Sequence, residues 1–466
     1  MKKRLCALLE SSPLVALLDL FVVVACAWGA IHFTPPNERP DRLLFLHLLP
    51  LLALVALLCF SVGGLYRTWS RHSLAHLFST LLLAQTLETT LWMSLCGWEP
   101  RWAVARPMIL VAALLQLIVL AVLRLLLRAV VRGARQHECA VLVASDSVRI
   151  AALRARFESA SSAWISIDAC LGADEFLALP EAAITWDTVL VEEQTREKTR
   201  VIRKATSLGK SVLLVPGIAE LWMVGAHLVE VDDQLLFRLS APHLPPAARS
   251  IKRLMDVASA ALLLTLTAPI LLLAVLLIWL GSRGPVFYAQ TRVGANGRPF
   301  TLYKLRTMVV DAEERTGPVL ASSGDARITS VGRMLRATRI DELPQLGNVL
   351  LGEMSLIGPR PERPQFVAQY CALIPGYELR HAVKPGITGL AQVYGGYTTA
   401  PEHKLRFDLV YIYDYSLLLD LQIAFKTLLT VLRPDRAEGI GKDPFTPEDL
   451  YEQTMAECNN REVTRV

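Results

Sequence analysis

Charge is scarce in this chain. Of its 466 residues only 20% are charged, against 53% hydrophobic, and the mean hydropathy is +0.39. A water-soluble protein of this length needs more polar surface, so part of the chain belongs in a membrane. Long basic runs are missing too, and the net charge is only +5. That excludes a nucleic-acid-binding footprint and leaves the cations for phosphates and anionic headgroups. No Cys-x-x-Cys pair occurs among the eight cysteines, several of which lie in apolar segments. A disulfide framework and a zinc site are therefore not expected, as suits a cytoplasmic-facing protein.

What is present first is length of apolar chain. Four stretches, about residues 13–33, 43–65, 74–96 and 107–127, each approach the roughly twenty residues a spanning helix needs. Lys2, Lys3 and Arg4 precede the first, Arg67 and Arg71 follow the second, and Arg124, Arg128, Arg132 and Arg135 cluster at the end of the fourth. This bias puts both ends of a four-helix bundle, residues 1–136, in the cytoplasm. A cleaved signal peptide is the rival for the first stretch, but its apolar run is long for one and further spans follow. Glu88, inside the third span, reads as a bundle-facing or interfacial carboxylate.

Across residues 137–245 short apolar runs alternate with charged helical ones: CAVLVAS, AWISIDA, DTVLVEE, KSVLLVPG. Such alternation predicts a small parallel α/β domain of Rossmann type. Its first turn, Ala144-Ser145-Asp146-Ser147, lacks the G-x-G-x-x-G that holds a dinucleotide, and Cys139 to Ser240 contains no tyrosine. The domain therefore reads as degenerate, regulatory or assembling, and a membrane-anchored nucleotide-sugar dehydratase is disfavoured. Residues 242–247 form a proline-rich joint.

The chemistry points to Val331–Pro361. Asp341 and Glu342 stand side by side, preceded by Arg333, Arg336 and Arg339 at three-residue spacing, which on a helix gathers the guanidiniums toward one face. Pro344 suits the first turn of a new helix, whose free N–H groups and dipole are expected to face the acidic pair and stabilise its ionised form. An ionised carboxylate beside arginines serves phosphoryl chemistry as a nucleophile or magnesium ligand. A solvated, salt-bridged helix end is the ordinary alternative for an isolated Asp-Glu pair. This pair is not isolated: Gly358-Pro359-Arg360-Pro361 presents an arginine and Lys384-Pro385-Gly386-Ile387-Thr388-Gly389 a lysine, each on a rigid loop suited to anionic oxygens.

With KRLMDV (252–257), GPVFYAQTRVG (284–294), FTLYKLRTM (300–308), DARIT (325–329), RIDELPQ (339–345), GEMSLIGPRP (352–361) and KPGITGLAQV (384–393), the region from about Ser250 to Arg433 resembles the bacterial polyprenyl-phosphate phosphoglycosyl transferases, which initiate exopolysaccharide and O-antigen assembly. The resemblance implies a mainly α, monotopic catalytic domain at 250–433 on the cytoplasmic face of the bacterial inner membrane, followed by a polar tail, 434–466. It also implies that residues 258–280 form a re-entrant membrane helix, broken at Pro269, that enters and leaves one leaflet. Positive charge on both flanks agrees with that, although length alone permits a crossing. The family pattern has Ser-Pro at the break where this chain has Ala268-Pro269, leaving the bend to the proline and packing. The segment from Phe407 to Leu432 suits an interfacial helix, or an amphipathic one covering the core.

By the same resemblance Asp341 attacks the β-phosphate of a UDP-sugar, releases UMP and holds a sugar-phosphate ester, which undecaprenyl phosphate then displaces. Mg²⁺ is the implied cofactor, with Asp341 and Glu342 as its contacts. Arg336, Arg360 and Lys384 match phosphate-facing positions of the family, while Arg333 and Arg339 serve the phosphates or a lipid headgroup. A UDP-sugar, undecaprenyl phosphate and the lipid bilayer are the implied partners, and the extra domains suggest a homodimer. A catalytically silent scaffold of polysaccharide assembly is the alternative, and the sugar itself is not legible.

Overall fold

The computed structural model describes residues 12–33, 42–66, 74–98, 106–134, 138–145, 150, 153–154, 165–231, 234–238, 246–310, 312, 325, 327–394 and 400–431. Several expectations lie outside these residues: most charges flanking the apolar spans, the first α/β turn beyond Ser145, most of the helix expected near 148–157, residues 242–245 of the joint, and the tail 434–466. The chain divides into two compact units, Met1–Gly217 and Ile218–Val466.

The first unit opens with four helices, α1 (Ser12–Phe33), α2 (Arg42–Gly63), α3 (Leu74–Trp98) and α4 (Arg106–Ala134). They close a ring, α1 packing on α2 and α4, and α3 on the same two. Three of the four contain segments long and apolar enough to cross a membrane, Pro13–Phe33, Leu46–Gly63 and Met108–Val131. The exception is α3, and its polarity is turned inside out. Thr80, Gln85 and Glu88 are buried whereas Phe78, Leu82, Leu87 and Leu91 face outward. Glu88 accepts a 2.7 Å hydrogen bond from Gln116 of α4, and Asp19 of α1 pairs with Arg124 of α4 at 2.5 Å. Polar groups inward and leucines outward is the arrangement a hydrocarbon solvent selects.

The same unit continues with a four-stranded, all-parallel sheet in the order β2-β1-β3-β4. Its strands are β1 (Glu138–Val143), β2 (Ile165–Leu171), β3 (Thr188–Val191) and β4 (Ser211–Leu214), with α5 (Ala173–Ala178) after β2 and α6 (Lys198–Ser207) after β3. Val141, Val143, Val189 and Val191 pack against Phe176, Val201 and Ala205. Burial of β3 at every position explains why Val189, Leu190 and Val191 follow one another without a polar break.

The second unit begins with a short helix, α7 (Ile218–Trp222), and an antiparallel hairpin, β5 (His227–Val231) with β6 (Gln234–Arg238). Next comes α8 (Pro246–Gly281), 36 residues and apolar enough to span. It starts well before the expected residue 258, and the expected break at Pro269 is not one in its hydrogen-bonded pattern, since helix runs through the proline. Thr265 and Thr267, just before it, donate back to the carbonyls of Ala261 and Leu263 at 2.9 and 2.7 Å. Hydroxyl back-bonds of this kind soften helices, so two threonines close before Pro269 make the type of contact expected of a serine there.

Both halves of α8 pack on the domain that follows it. Ala260 contacts Leu302, Leu346, Val349 and Met354, while Ala274 and Ile278 contact Leu305 and Leu335. Polar pins hold both ends. Arg253 donates to the carbonyls of Val349 and Leu350 at 2.6 and 2.9 Å, and Arg306 to those of Arg283 and Ser282, both at 2.9 Å.

The domain itself has the hairpin β7 (Phe287–Val293) with β8 (Pro299–Leu305), then α9 (Ser330–Ala337), a 3-10 turn Ile340–Glu342, α10 (Gln345–Leu351) and β9 (Ser355–Ile357). After α11 (Pro364–Leu373) and a 3-10 segment Tyr377–Ala382, β10 (Gly386–Thr388) pairs in parallel with β9. The last elements are α12 (Leu390–Tyr394), α13 (Pro401–Tyr413) and α14 (Leu417–Val431). Leu405, Leu409 and Ile412 of α13 and Ile423 of α14 share one core with Ile357, Leu390 and Val393. The two helices near the end thus cover this core.

Candidate active site

The acidic pair is built at a deliberate corner. Thr329 caps α9, its hydroxyl accepting from Gly332 N at 2.9 Å. Gly332 is required there, because a Cβ would come within 2.0 Å of the Thr307 carbonyl oxygen. One turn on, Arg336 Nε donates to Thr307 Oγ1 at 2.8 Å. Arg339 then takes a left-handed conformation, φ 58°, and swings the chain into the 3-10 turn that carries Asp341 and Glu342. Helix α10 starts directly after Pro344, as expected. Asn348 ties α10 to β8: its amide nitrogen donates to Thr301 O at 2.7 Å and its oxygen accepts from Tyr303 N at 3.3 Å. That register sets the next inward residue of β8, Lys304, against the pair.

The two carboxylates have opposite fates. Glu342 Oε1 accepts from Lys304 Nζ at 3.1 Å and from Arg360 Nη2 at 2.8 Å. Burial pushes its acidity the other way, but Arg360 and Lys304 outweigh it and hold Glu342 well below the usual carboxylate range. Asp341 is only 7% exposed, and its Oδ1 is buried with no hydrogen-bond partner among the described residues. Burial first, then the neighbouring negative charge of Glu342, raise Asp341 to about 6, against the opposing pull of Lys304, Arg336 and Arg339. This corrects the expectation that helix N–H groups stabilise both ionised carboxylates. The turn spends its amides internally, Glu342 N on Arg339 O and Leu343 N on Ile340 O, both at 3.2 Å.

The two Gly/Pro loops are a single construction. Gly358 N donates to Thr388 O and Gly386 N to Pro359 O, each at 2.9 Å. A Cβ on Gly358 would lie 2.4 Å from Lys384 O, so only glycine permits this backbone approach. The unit presents its cations at different places. Arg360 reaches Glu342. Lys384 is exposed beside Gly352, and the charges that act on it are Arg253 and Asp256 rather than the acidic pair. Arg333 is exposed on α9. The structure therefore gathers Asp341, Glu342, Arg336, Arg339 and Arg360, and places Arg333 and Lys384 apart from them.

Sequence reasoning passed over Lys304 and the frame behind Arg360. Partly buried Lys304 loses basicity by desolvation, offset by Glu342. Its signal was available: Phe300, Leu302 and Lys304 share the inward face of an alternating strand, where a lysine is out of place unless paired. Behind Arg360 stands Arg380, whose Nη2 donates to Arg360 O at 2.9 Å while its guanidinium grips Asp408 of α13 at 2.8 and 3.0 Å. Arg292 of β7 braces the same loop, donating to Pro361 O at 3.0 Å with Glu362 3.6 Å away. No sequence motif announced these pairings.

Among the described residues no cluster of three His, Cys, Asp or Glu side chains could cage a metal. A magnesium ion riding on a diphosphate needs fewer protein ligands, one or two carboxylates with substrate oxygens and water completing the octahedron. The unbonded Oδ1 of Asp341 fits that demand; Glu342 fits it less well, with Oε1 already held by two cations.

Residues 247–434 match the family described as bacterial sugar transferase. The chain is 43% identical over 219 residues to the UDP-N-acetylgalactosamine-undecaprenyl-phosphate N-acetylgalactosaminephosphotransferase of Aeromonas hydrophila, covering 44% of this chain and 52% of the relative. It is 37% identical over 252 residues to the UDP-glucose:undecaprenyl-phosphate glucose-1-phosphate transferase of Klebsiella pneumoniae, covering 52% of this chain and 54% of that one. To the protein of the same description in Caulobacter vibrioides it is 47% identical over 212 residues, 44% of this chain and 79% of the relative. The matched stretch thus spans about half the length of the first two relatives and most of the third. A membrane bundle ahead of this domain, the acidic turn at its centre and these matches together show that the chain belongs to the bacterial sugar transferases, the polyprenyl-phosphate phosphoglycosyl transferases.

Proposed function

We propose that this protein transfers a hexose-1-phosphate from a UDP-sugar to undecaprenyl phosphate, releasing UMP, through a covalent intermediate on Asp341. The observation that carries the reading is the buried Asp341 Oδ1, bare of hydrogen bonds beside a fully engaged Glu342. A carboxylate oxygen without donors keeps its lone pairs available for attack. It forms a bond to the β-phosphorus while the bond from that phosphorus to the bridging oxygen breaks, and UMP leaves with the electron pair. An oxygen of undecaprenyl phosphate then attacks the same phosphorus, and the Asp341 carboxylate departs unchanged. Arg360 and Lys304, fixed on Glu342, supply positive charge to the phosphoryl oxygens without reorganisation. Asp341 and Glu342 would hold Mg²⁺, which would supply charge neutralisation of the diphosphate. Arg336 and Arg339 favour the ionised, attacking form of Asp341.

The domain works on the cytoplasmic face of the bacterial inner membrane, with α8 as a re-entrant rather than a crossing helix. Support comes from packing. Ala260 and Ile278 are separated by about 27 Å of helix at 1.5 Å per residue, nearly a bilayer core, yet both rest on the one small domain. The parallel sheet is a Rossmann-like module without an intact cofactor turn. In support, Ser145 in that turn is occupied internally, donating to Gln194 O at 2.6 Å and accepting from Arg196 N at 3.1 Å.

Incubating the purified protein with Mg²⁺ and a panel of UDP-sugars, without acceptor, tests the reading. A burst of UMP and a sugar-phosphate mass adduct, both lost in Asp341→Asn, are expected, and the active donor names the sugar. Absence of UMP and adduct from every donor, with no product after undecaprenyl phosphate is added, leaves the scaffold reading instead.

A further inference from the structure

The membrane bundle holds a pocket of about 40 Å³ lined by all four of its helices. Ala27 of α1, Leu52 of α2, Trp92 of α3 and Ile109 of α4 give it apolar walls, and Gln85, Glu88, Thr89 and Gln116 add polar groups. Glu88 lies near the middle of α3, while Met108, another lining residue, falls in the first turn of α4. The pocket therefore runs from the middle of the bundle to the end where α4 begins. What its polar residues have left to offer is acceptors. Gln85 is 4% exposed, and its Oε1 is buried with no hydrogen-bond partner among the described residues. Thr89 spends its one proton on the Gln85 carbonyl at 2.8 Å, so its hydroxyl retains only lone pairs. Glu88 accepts from Gln116 Nε2 at 2.7 Å through Oε2, and a carboxylate has lone pairs beyond that one bond. No lysine, arginine or histidine is among the described residues that line the pocket.

Unmatched acceptors around one carboxylate are costly inside a membrane bundle, and such a place receives positive charge from outside. We infer that this pocket binds a single alkali-metal cation, sodium or potassium, through Glu88, Gln85 Oε1 and the Thr89 hydroxyl. Oxygen ligands suit a hard cation, and one carboxylate matches one positive charge. The volume leaves room for one or two waters on the ion, each needing about 10–15 Å³. Gln116 is a positioning residue, fixing the carboxylate from α4. The site does not depend on the transfer reaction proposed above.

Tryptophan fluorescence of the full-length protein in detergent provides the test, because Trp92 lines the pocket. Sodium chloride and, separately, potassium chloride replace choline chloride at constant ionic strength; choline has the same charge but cannot be coordinated by close oxygens. A saturable change with at least one of the two ions, absent in Trp92→Phe, is expected. Glu88→Gln is expected to abolish it, and Gln85→Leu to weaken the affinity about threefold to tenfold, the value of one neutral contact. If circular dichroism shows that Glu88→Gln does not fold, Gln85→Leu decides alone. No saturable response to either ion overturns the inference and leaves Glu88 a carboxyl satisfied by its own proton and Gln116. A response that persists in Trp92→Phe, or keeps its full affinity in folded Glu88→Gln or in Gln85→Leu, overturns it as well, since the ion then binds elsewhere.

Discussion

Asp341 and Asp408 make an instructive pair. Both are buried aspartates of the catalytic domain, 7% and 1% exposed, and in both burial is the largest cause of a rise to about 6. Their surroundings differ in one respect. Arg380 holds Asp408 through two nitrogens, whereas Asp341 Oδ1 meets no donor. On the proposed mechanism, acidity alone does not separate the structural carboxylate from the attacking one; unspent hydrogen-bonding capacity does. Asp408 serves through Arg380, which carries the backbone of Arg360, and Arg360 in turn holds Glu342. The clamp thus supports the surroundings of the bare carboxylate.

Substitution at the two aspartates should break this symmetry in opposite directions. Asp341→Asn is expected to lower turnover by about 10³-fold or more, as for a covalent nucleophile, without loss of thermal stability; adduct mass and a melting curve together decide it. Asp408→Ala leaves Arg380 buried without its counter-charge and is expected to cost about 3–5 kcal/mol of stability by chemical denaturation. A catalytic defect with an unaltered denaturation midpoint would count against the structural role. Next in size, Lys304→Met removes one of the two cations on Glu342 and should reduce kcat/KM by about 10²-fold, with correct folding checked by circular dichroism.

The smallest effect sharpens the comparison through pH. With Asp341 raised to about 6, the rate of adduct formation should fall about tenfold per pH unit below that value as the nucleophile protonates. Stability moves the other way. A carboxyl whose folded pKa exceeds its unfolded value binds its proton more tightly when folded, so its contribution is favourable at low pH and fades as pH rises through about 4 to 6. Asp341→Asn should therefore stabilise the fold, by chemical denaturation, by up to about 3 kcal/mol at pH 8 and by about half of that at pH 5. A pH-independent difference would place the pKa of Asp341 near its ordinary value.

Much of this architecture was legible beforehand. The apolar spans, the alternating strands of the parallel sheet and the helix start at Pro344 follow from periodicity and proline chemistry, which act over a few residues. Arg336, Arg339 and Arg360 around the acidic pair were likewise readable from spacing and loop motifs. Arg380 and Asp408 were not, because they pair across 28 residues of chain and no local pattern encodes that; Lys304 could be noticed as an inward lysine on an alternating strand, but its partner 38 residues on could not. The inward-facing polarity of α3 was half visible: Glu88 stood out in an apolar span, but its bond to Gln116 depends on how two helices rotate against each other.

Sequence by itself determined that this chain enters a membrane, carries a parallel α/β module and ends in a domain organised on Asp341-Glu342, since hydropathy, periodicity and motif are properties of neighbours in the chain. Tertiary structure alone decided which of the two carboxylates is neutralised and which is left bare, that both halves of α8 rest on the catalytic domain, and that Lys384 and Arg333 lie away from the acidic pair. Electrostatic balance at a buried site is set by distances between residues far apart in sequence, and those distances exist only once the chain has packed.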